Sequence, residues 1–238
     1  MMETVMTAAD ETTTPRDFAG MVRLFPLPNL VFFPHVVQPL HIFESRYCEM
    51  LEDALAGDGL IAMVLLSPGW ERDYEGRPPI APVACLGKIL SHERLAGGKH
   101  NLLLRGMCRA AIRCEQPAER SFRQAEVDLL EDFYPASSAP ARPGLQRRLV
   151  ELARELLPDT TAGHEQLDDL LASHVSLGML SDIFAYTLGF PLQVKQRLLA
   201  EWNVDRRTRL LCEQLARLTR QTPTTDDKPT YPPRFSLN

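Results

Sequence analysis

An imidazole and a carboxylate three positions apart, His41 and Glu44, have the chemistry to share a proton as an acid–base pair, and His35 could join them around a metal. The 35/41/44 spacing matches no ligand motif, so structural hydrogen bonding is the preferred reading. Glu44 is read as a helix-start residue favoured by the positive end of the dipole. No metal site, cofactor or catalytic residue is expected, although a small-molecule or enzymatic pocket near His41 and Glu44 stands as a rival. A second constellation is aromatic. Phe32 and Phe33, followed by Pro34 and preceded by Phe25 and Pro26, could frame a groove for extended peptide, because rings supply contact area and proline leaves the strand ladder. The preferred reading is that the phenylalanines alternate between the core and one exposed contact. The third is the charged loop from Trp70 to Pro79, in which Trp70, Arg72, Tyr74 and Arg77 form the first candidate contact surface.

Other chemistries are poorly supported. The two Gly-Lys pairs, Gly87-Lys88 and Gly98-Lys99, are followed by Ile89 and His100 and lack the earlier glycine of a phosphate-wrapping loop. Five cysteines, Cys48, Cys85, Cys108, Cys114 and Cys212, are scattered with no Cys-x-x-Cys pair, which reads as reduced and mostly buried thiols. The formal charge is -5, from 26 Lys and Arg against 31 Asp and Glu, which argues against a phosphate-neutralising chain. Arg105, Arg109, Arg113, Arg120 and Arg123 are interspersed with Glu115, Glu119 and Glu126, so nucleic acid is not an expected partner. Arg206, Arg207, Arg209, Arg217 and Arg220 read as a solvated helix face. No stretch reaches the roughly 18 apolar residues of a membrane helix, and the opening residues lack a signal peptide's apolar core, so a cytoplasmic location is expected.

The elements that must position these residues change character along the chain. Leu60–Leu66 is a short apolar run closed by Ser67-Pro68-Gly69, the pattern of a buried strand. Val83–Leu90, His100–Arg105 and Cys108–Cys114 are further strands, with Ala96-Gly97-Gly98-Lys99 as a hairpin turn where glycine tolerates positive φ. Phe122–Leu130 alternates as a half-buried strand. One helix, from Glu44 to Ala56, carries Tyr47, Met50, Leu51, Ala54 and Leu55 at helical spacing. Several short strands and one helix suggest an open barrel. After a Pro- and Ser-rich stretch at 135–144 the period becomes helical. Pro143 opens a helix bearing Leu145, Leu149, Leu152 and Leu156, and Leu167, Leu170 and Leu171 suggest a second. A third carries Met179, Leu180, Ile183, Phe184, Thr187 and Leu188, a fourth runs from Pro191 through Trp202, and Asp205 is the expected N-cap of a last helix with Leu210, Leu211, Leu215 and Leu218 on one side.

The block Val22-Arg23-Leu24-Phe25-Pro26-Leu27-Pro28-Asn29-Leu30-Val31-Phe32-Phe33-Pro34, continuing into Gln38–Tyr47, resembles the opening of the substrate-binding amino-terminal domain of Lon proteases. Gly87-Lys88-Ile89 with Leu102–Arg109 matches that family's central hairpin, and Met179–Asp182, Lys195–Leu199 and Asp205–Leu211 resemble its closing helices. The likeness covers roughly residues 21 to 218. It implies an α+β fold, a PUA-like β pseudo-barrel with one helix followed by a C-terminal α-helical bundle. The implied division is a disordered tail at 1–18, a barrel at 19–134, a linker at 135–144, a bundle at 145–220 and a second disordered tail at 221–238. In full-length Lon this domain helps capture substrates and assemble the hexamer. No ATPase loop or Ser-Lys protease domain of the Lon kind is readable here, so the resemblance implies a non-enzymatic protein binding polypeptide or a protein partner. The expected mode is capture of flexible chain in a groove between barrel and bundle, or strand addition at an open barrel edge. A dedicated adaptor of one folded partner is the alternative, and no oligomeric state is legible.

Overall fold

The computed structural model describes residues 18–74, 76–156 and 175–221. Apart from residues 18 and 221, both expected tails lie outside the described residues, as does the short helix expected around Leu167, Leu170 and Leu171. The described chain divides into two compact units, one of the residues up to Glu131 together with Phe190–Ala200, the other of Asp132–Gly189 together with the residues from Glu201.

The first unit holds six strands: β1 (Met21–Leu27), β2 (Val37–Ile42), β3 (Leu60–Leu65), β4 (Val83–Arg94), β5 (His100–Glu115) and β6 (Arg123–Leu130). Their order is β2-β5-β4-β3-β1-β6, and β6 pairs again with β5. The ring β1-β3-β4-β5-β6 is therefore closed, which corrects the expectation of an open barrel, and β2 is added on the outer half of β5. Only β1 and β3 run parallel, and a parallel pair needs a crossover. Helix α1 (Ser45–Ala56) supplies part of it and packs on both strands. This explains the apolar run in β3. Leu60, Ala62 and Val64 point into the barrel core with Val22, Leu24, Leu86 and Val127, while Ile61 and Met63 are equally buried on the opposite face. Tyr47 of α1 meets Phe25 of β1 with ring centroids 4.6 Å apart.

The two strands expected at 100–105 and 108–114 are one continuous strand, β5. Its first half pairs with β2 and its second half with β6, while β4 follows along most of its length with register shifts. At the change of partner Gly106 accepts a hydrogen bond from the His35 amide and donates one to the Val36 carbonyl, both 2.8 Å. A Cβ at Gly106 would stand 2.8 Å from the Phe33 carbonyl carbon and 3.1 Å from Pro34 Cα, so only glycine lets the two backbones approach this closely. His35 turns the chain there with φ 67°. Phe32 and Phe33 on that segment are 1% and 0% exposed, which corrects the expectation that one of them faces solvent. At the β4–β5 hairpin, Gly97 and Gly98 adopt φ 77° and 75° and the Leu95 amide bonds the Lys99 carbonyl, as the turn chemistry predicts. The helix Leu192–Ala200 belongs to this unit. The Arg109 Nε of β5 donates to the Leu199 carbonyl at 2.8 Å, and the Gln196 side-chain amide donates to the Val83 carbonyl at 2.8 Å.

The second unit is helical. Numbering all helices in chain order, α2 is Arg142–Leu156, α3 is Leu177–Thr187, α4 is the Leu192–Ala200 helix of the first unit, and α5 is Val204–Gln221. A 3-10 turn at Ala136–Ala141 occupies much of the expected linker and leads into α2, with Pro143 in its first turn. Leu149 and Leu152 of α2 and Leu211 and Leu215 of α5 are buried. The amino-terminal cap of α5 is Asn203, whose Oδ1 accepts from the Arg206 amide at 3.1 Å, and not Asp205. Asp205, one residue inside the helix and 1% exposed, is instead engaged by Arg142 at 2.9 Å.

Arg207 overturns the reading of α5's arginines as one solvated face, because it is 0% exposed. Its Nε donates to Ser181 Oγ at 3.0 Å and lies 3.2 Å from the fully buried Asp182. Its two terminal nitrogens reach the Glu201 carbonyl at 2.9 Å and Asp132 at 2.7 Å. A buried charge is tolerated only when its donors are satisfied in this way. No helix among the described residues is long and apolar enough to cross a membrane.

Two substitutions test these constraints. Gly106→Ala is expected to lower stability by about 2–3 kcal/mol in urea unfolding, because backbone atoms and not a flexible side chain must move. Arg207→Ala is expected to cost about 3–5 kcal/mol, since it leaves Asp182 buried without its guanidinium. A loss below about 1 kcal/mol in either variant would contradict the corresponding account.

Candidate functional site

His41 and Glu44, which could have met as an acid–base pair, take separate partners. His41, exposed on β2, places Nδ1 2.8 Å from the Asn101 side-chain oxygen across the strand pair, and its ring lies 5.9 Å from that of Phe43. Glu44 turns elsewhere and organises a different cluster. Sitting at the start of α1, it accepts from Arg46 at 2.7 and 3.0 Å and from the Tyr74 hydroxyl at 2.8 Å. Among the described residues no group of three or more His, Cys, Asp or Glu side chains could hold a metal ion.

The Glu44 cluster ties the charged loop to the barrel. Arg46 lies over both Tyr47 and Tyr74, with its guanidinium carbon 4.8 Å from each ring centroid, and donates to the Tyr74 carbonyl at 3.3 Å. Trp70, on a 3-10 turn at Trp70–Asp73, meets Tyr74 edge-on at 5.4 Å. Burial against these neighbours raises the pKa of both tyrosines, with the Glu44 bond adding to the rise at Tyr74, so both rings stay neutral at ordinary pH. Arg72 is exposed on the same turn.

The far end of the loop is held by a second carboxylate. Glu115, near the end of β5, takes a two-pronged contact from Arg123 at 2.7 and 2.8 Å, and Arg77 reaches it at 3.3 Å. Arg123 also donates to the Pro78 carbonyl and Arg77 to the Gln116 carbonyl, at 2.8 and 2.9 Å. Arg123, the first residue of β6, thereby holds Pro78 in place.

Between these two anchors lies a groove of about 260 Å3. Its polar wall is Arg46, Arg77, Arg120 and Arg123, and Tyr47, Tyr74 and Phe122 supply its aromatic surface. Of the residues singled out in the sequence, Tyr74 and Arg77 line it directly and Trp70 supports it through Tyr74. Phe32 and Phe33 are core, and His41 belongs to β2. Arg46, Tyr47, Arg120, Phe122 and Arg123 also line it and were not among the candidate binding residues of the sequence. The signal available for Arg46 was its position two residues after Glu44, beside Tyr47.

A family profile described as the ATP-dependent protease La (LON) substrate-binding domain matches residues 21–217. The chain belongs to the Lon substrate-binding domain family. Lon protease 2 of Myxococcus xanthus is 26% identical over 204 residues, covering 84% of this chain and 24% of that protein. The Lon protease of Heliobacterium modesticaldum is 27% identical over 201 residues, covering 82% of this chain and 23% of that protein. The chain thus spans about a quarter of the length of these relatives. Among solved structures, the N-terminal domain of the Mycobacterium avium complex Lon protease superposes with a TM-score of 0.64 at 18% identity, covering 82% of this chain and 98% of that one. A Lon N-terminal domain protein from Xanthomonas campestris gives 0.56 at 20% identity, covering 85% and 99%. These two likenesses are of fold, and they agree with the barrel and helices described above.

The Arg46–Tyr74–Glu44 clamp is testable by fluorescence, because the chain has two tryptophans, Trp70 and Trp202. In a Trp202→Phe background, Tyr74→Ala is expected to red-shift Trp70 emission and increase its quenching by acrylamide. Tyr74→Phe, which keeps the ring but loses the bond to Glu44, is expected to cost only about 1 kcal/mol of stability. Unchanged Trp70 emission in Tyr74→Ala would show that the clamp does not hold the loop.

Proposed function

We propose that this chain is a receptor for polypeptide that binds without cleaving, and that it works in the cytoplasm. The observation carrying this reading is the match to the Lon substrate-binding domain over residues 21–217. The groove beside the Trp70–Arg77 loop fits it physically. Neutral aromatic rings give contact area at low entropic cost, and fixed guanidinium groups offer hydrogen bonds to carbonyl or carboxylate oxygens of a bound chain. A loop held at both ends by Glu44 and Glu115 is also pre-organised, which reduces the ordering cost of binding. Shape and charge of this kind hold a ligand, and cutting a peptide bond would need an activated nucleophile or metal-bound water in addition.

A second reading, a dedicated adaptor for one folded partner, is favoured by a separate feature of the helical unit. Phe133 and Trp202 stack at 5.2 Å while remaining 45% exposed each, beside the half-exposed Tyr134. Clustered exposed aromatics are typical anchors of a protein interface.

Titrating the full chain into a fluorescently labelled, permanently unfolded polypeptide separates the two. Saturable micromolar binding, with the labelled chain recovered intact and Trp70→Ala/Tyr74→Ala weakening it about fivefold or more, is expected for the receptor. Absence of binding by a demonstrably folded sample would overturn it in favour of the adaptor.

A further inference from the structure

We infer that the groove selects for acidic segments of polypeptide carrying an aromatic side chain; this rests on the reading of the chain as a polypeptide receptor. Among the described residues the groove lining contains four arginines and no carboxylate, although the chain as a whole has a formal charge of -5. The acids that balance these arginines stand behind the wall. Glu44 accepts from Arg46 and Tyr74, and Glu115 from Arg123 and Arg77, so the carboxylates are spent on orienting guanidinium groups.

Two of the four arginines keep donors to offer. Arg77 makes its bonds to Glu115 and the Gln116 carbonyl through a single terminal nitrogen. Arg120, with its side chain 53% exposed, stands 3.6 Å from Asp53 and 3.9 Å from Glu49, beyond hydrogen-bonding reach of either. Both neighbours are better served by others, Asp53 by Arg23 at 2.5 Å and Glu49 by the Ser121 hydroxyl at 2.5 Å. An incoming carboxylate can take the planar fork of Arg77 or Arg120 in a two-pronged geometry that neither now makes.

The other half of the recognition is apolar. Tyr47, Tyr74 and Phe122 line the same groove, and a ring placed against them would pack edge-on or offset. The volume of about 260 Å3 lies below the roughly 300–1,000 Å3 of pockets that enclose drug-sized ligands. That room suits one or two side chains of a longer strand better than a whole cofactor. An occupant with a carboxylate next to an aromatic ring matches both halves.

The test uses the full-length protein and three labelled twelve-residue peptides in anisotropy titrations: one rich in Asp and Glu around a central Phe, one with its acids changed to Lys, and one with the Phe changed to Ser. The acidic aromatic peptide is expected to bind about tenfold more tightly than either of the others, to weaken as salt is raised, and to lose about tenfold in affinity on Arg77→Glu/Arg120→Glu. The exposed Arg206→Glu on α5 is the charge control and should leave binding unchanged, with circular dichroism confirming that each variant is folded. Equal binding of all three peptides, or full affinity in the Arg77→Glu/Arg120→Glu variant, overturns the proposed selectivity. Complete competition by millimolar inorganic phosphate at constant ionic strength, with no contribution from the Phe, would overturn it in favour of a simple anion site. The unfolded polypeptide titrated in parallel keeps the two readings apart: if it binds while the peptides show no preference, only the selectivity fails, and if neither it nor any peptide binds, the receptor reading fails with it.

Discussion

The close approach of two backbones at Gly106 is the constraint on which the first unit depends. β5 is shared by β2, β4 and β6, and the hand-over from β2 to β6 occurs where the 33–36 segment lies directly on Gly106. Two backbone hydrogen bonds and the absence of a Cβ hold this contact. Burial of Phe32 and Phe33 and the path of β2 toward the start of α1 follow from it. So does the location of Glu44, which caps that path and organises one end of the groove.

Charge is used in this protein chiefly as internal fastening. Arg109 fixes α4 to the barrel through a carbonyl, Arg123 fixes Pro78 through another, and Arg207 gathers Asp132, Ser181, Asp182 and the Glu201 carbonyl around one buried guanidinium. Arg123 and Arg207 are planar donor groups reaching several acceptors at once, which lysine could not replace. Such contacts are costly to desolvate and give little net stability over an apolar core, but they tolerate no alternative register. The arginine excess around the groove follows the same logic, except that Arg77 and Arg120 retain donors facing a space that another molecule can enter.

Membership of the Lon substrate-binding domain family, the aromatic groove and its arginine wall are the three observations on which the proposed recognition of polypeptide rests. The clamp formed by Glu44, Arg46 and Tyr74 at one end and by Glu115, Arg77 and Arg123 at the other makes a surface loop into a fixed wall. The second unit contributes exposed rings of its own in Phe133, Tyr134 and Trp202.

Local pattern by itself determined several of the elements, though it did not single out β1 and β2 and it divided β5 in two. The apolar run of β3, the helical spacing of Tyr47, Met50, Leu51 and Ala54, and the glycine turn between β4 and β5 were all legible, because each depends on neighbours within a few residues. The resemblance in the opening block and central hairpin carried the family and the α+β class. Tertiary structure decided the rest. Whether the barrel closes depends on β5 meeting β6, and no local pattern records which strand a second edge will find. That Phe32 and Phe33 are both core and that Arg207 is buried depend on partners 26 to 75 residues away or on a backbone lying across the segment. The groove was half legible. The loop with Tyr74 and Arg77 stood out by composition, whereas Arg46, Arg120 and Phe122 are ordinary residues in sequence and acquire a role only when folding brings three separate segments around one space.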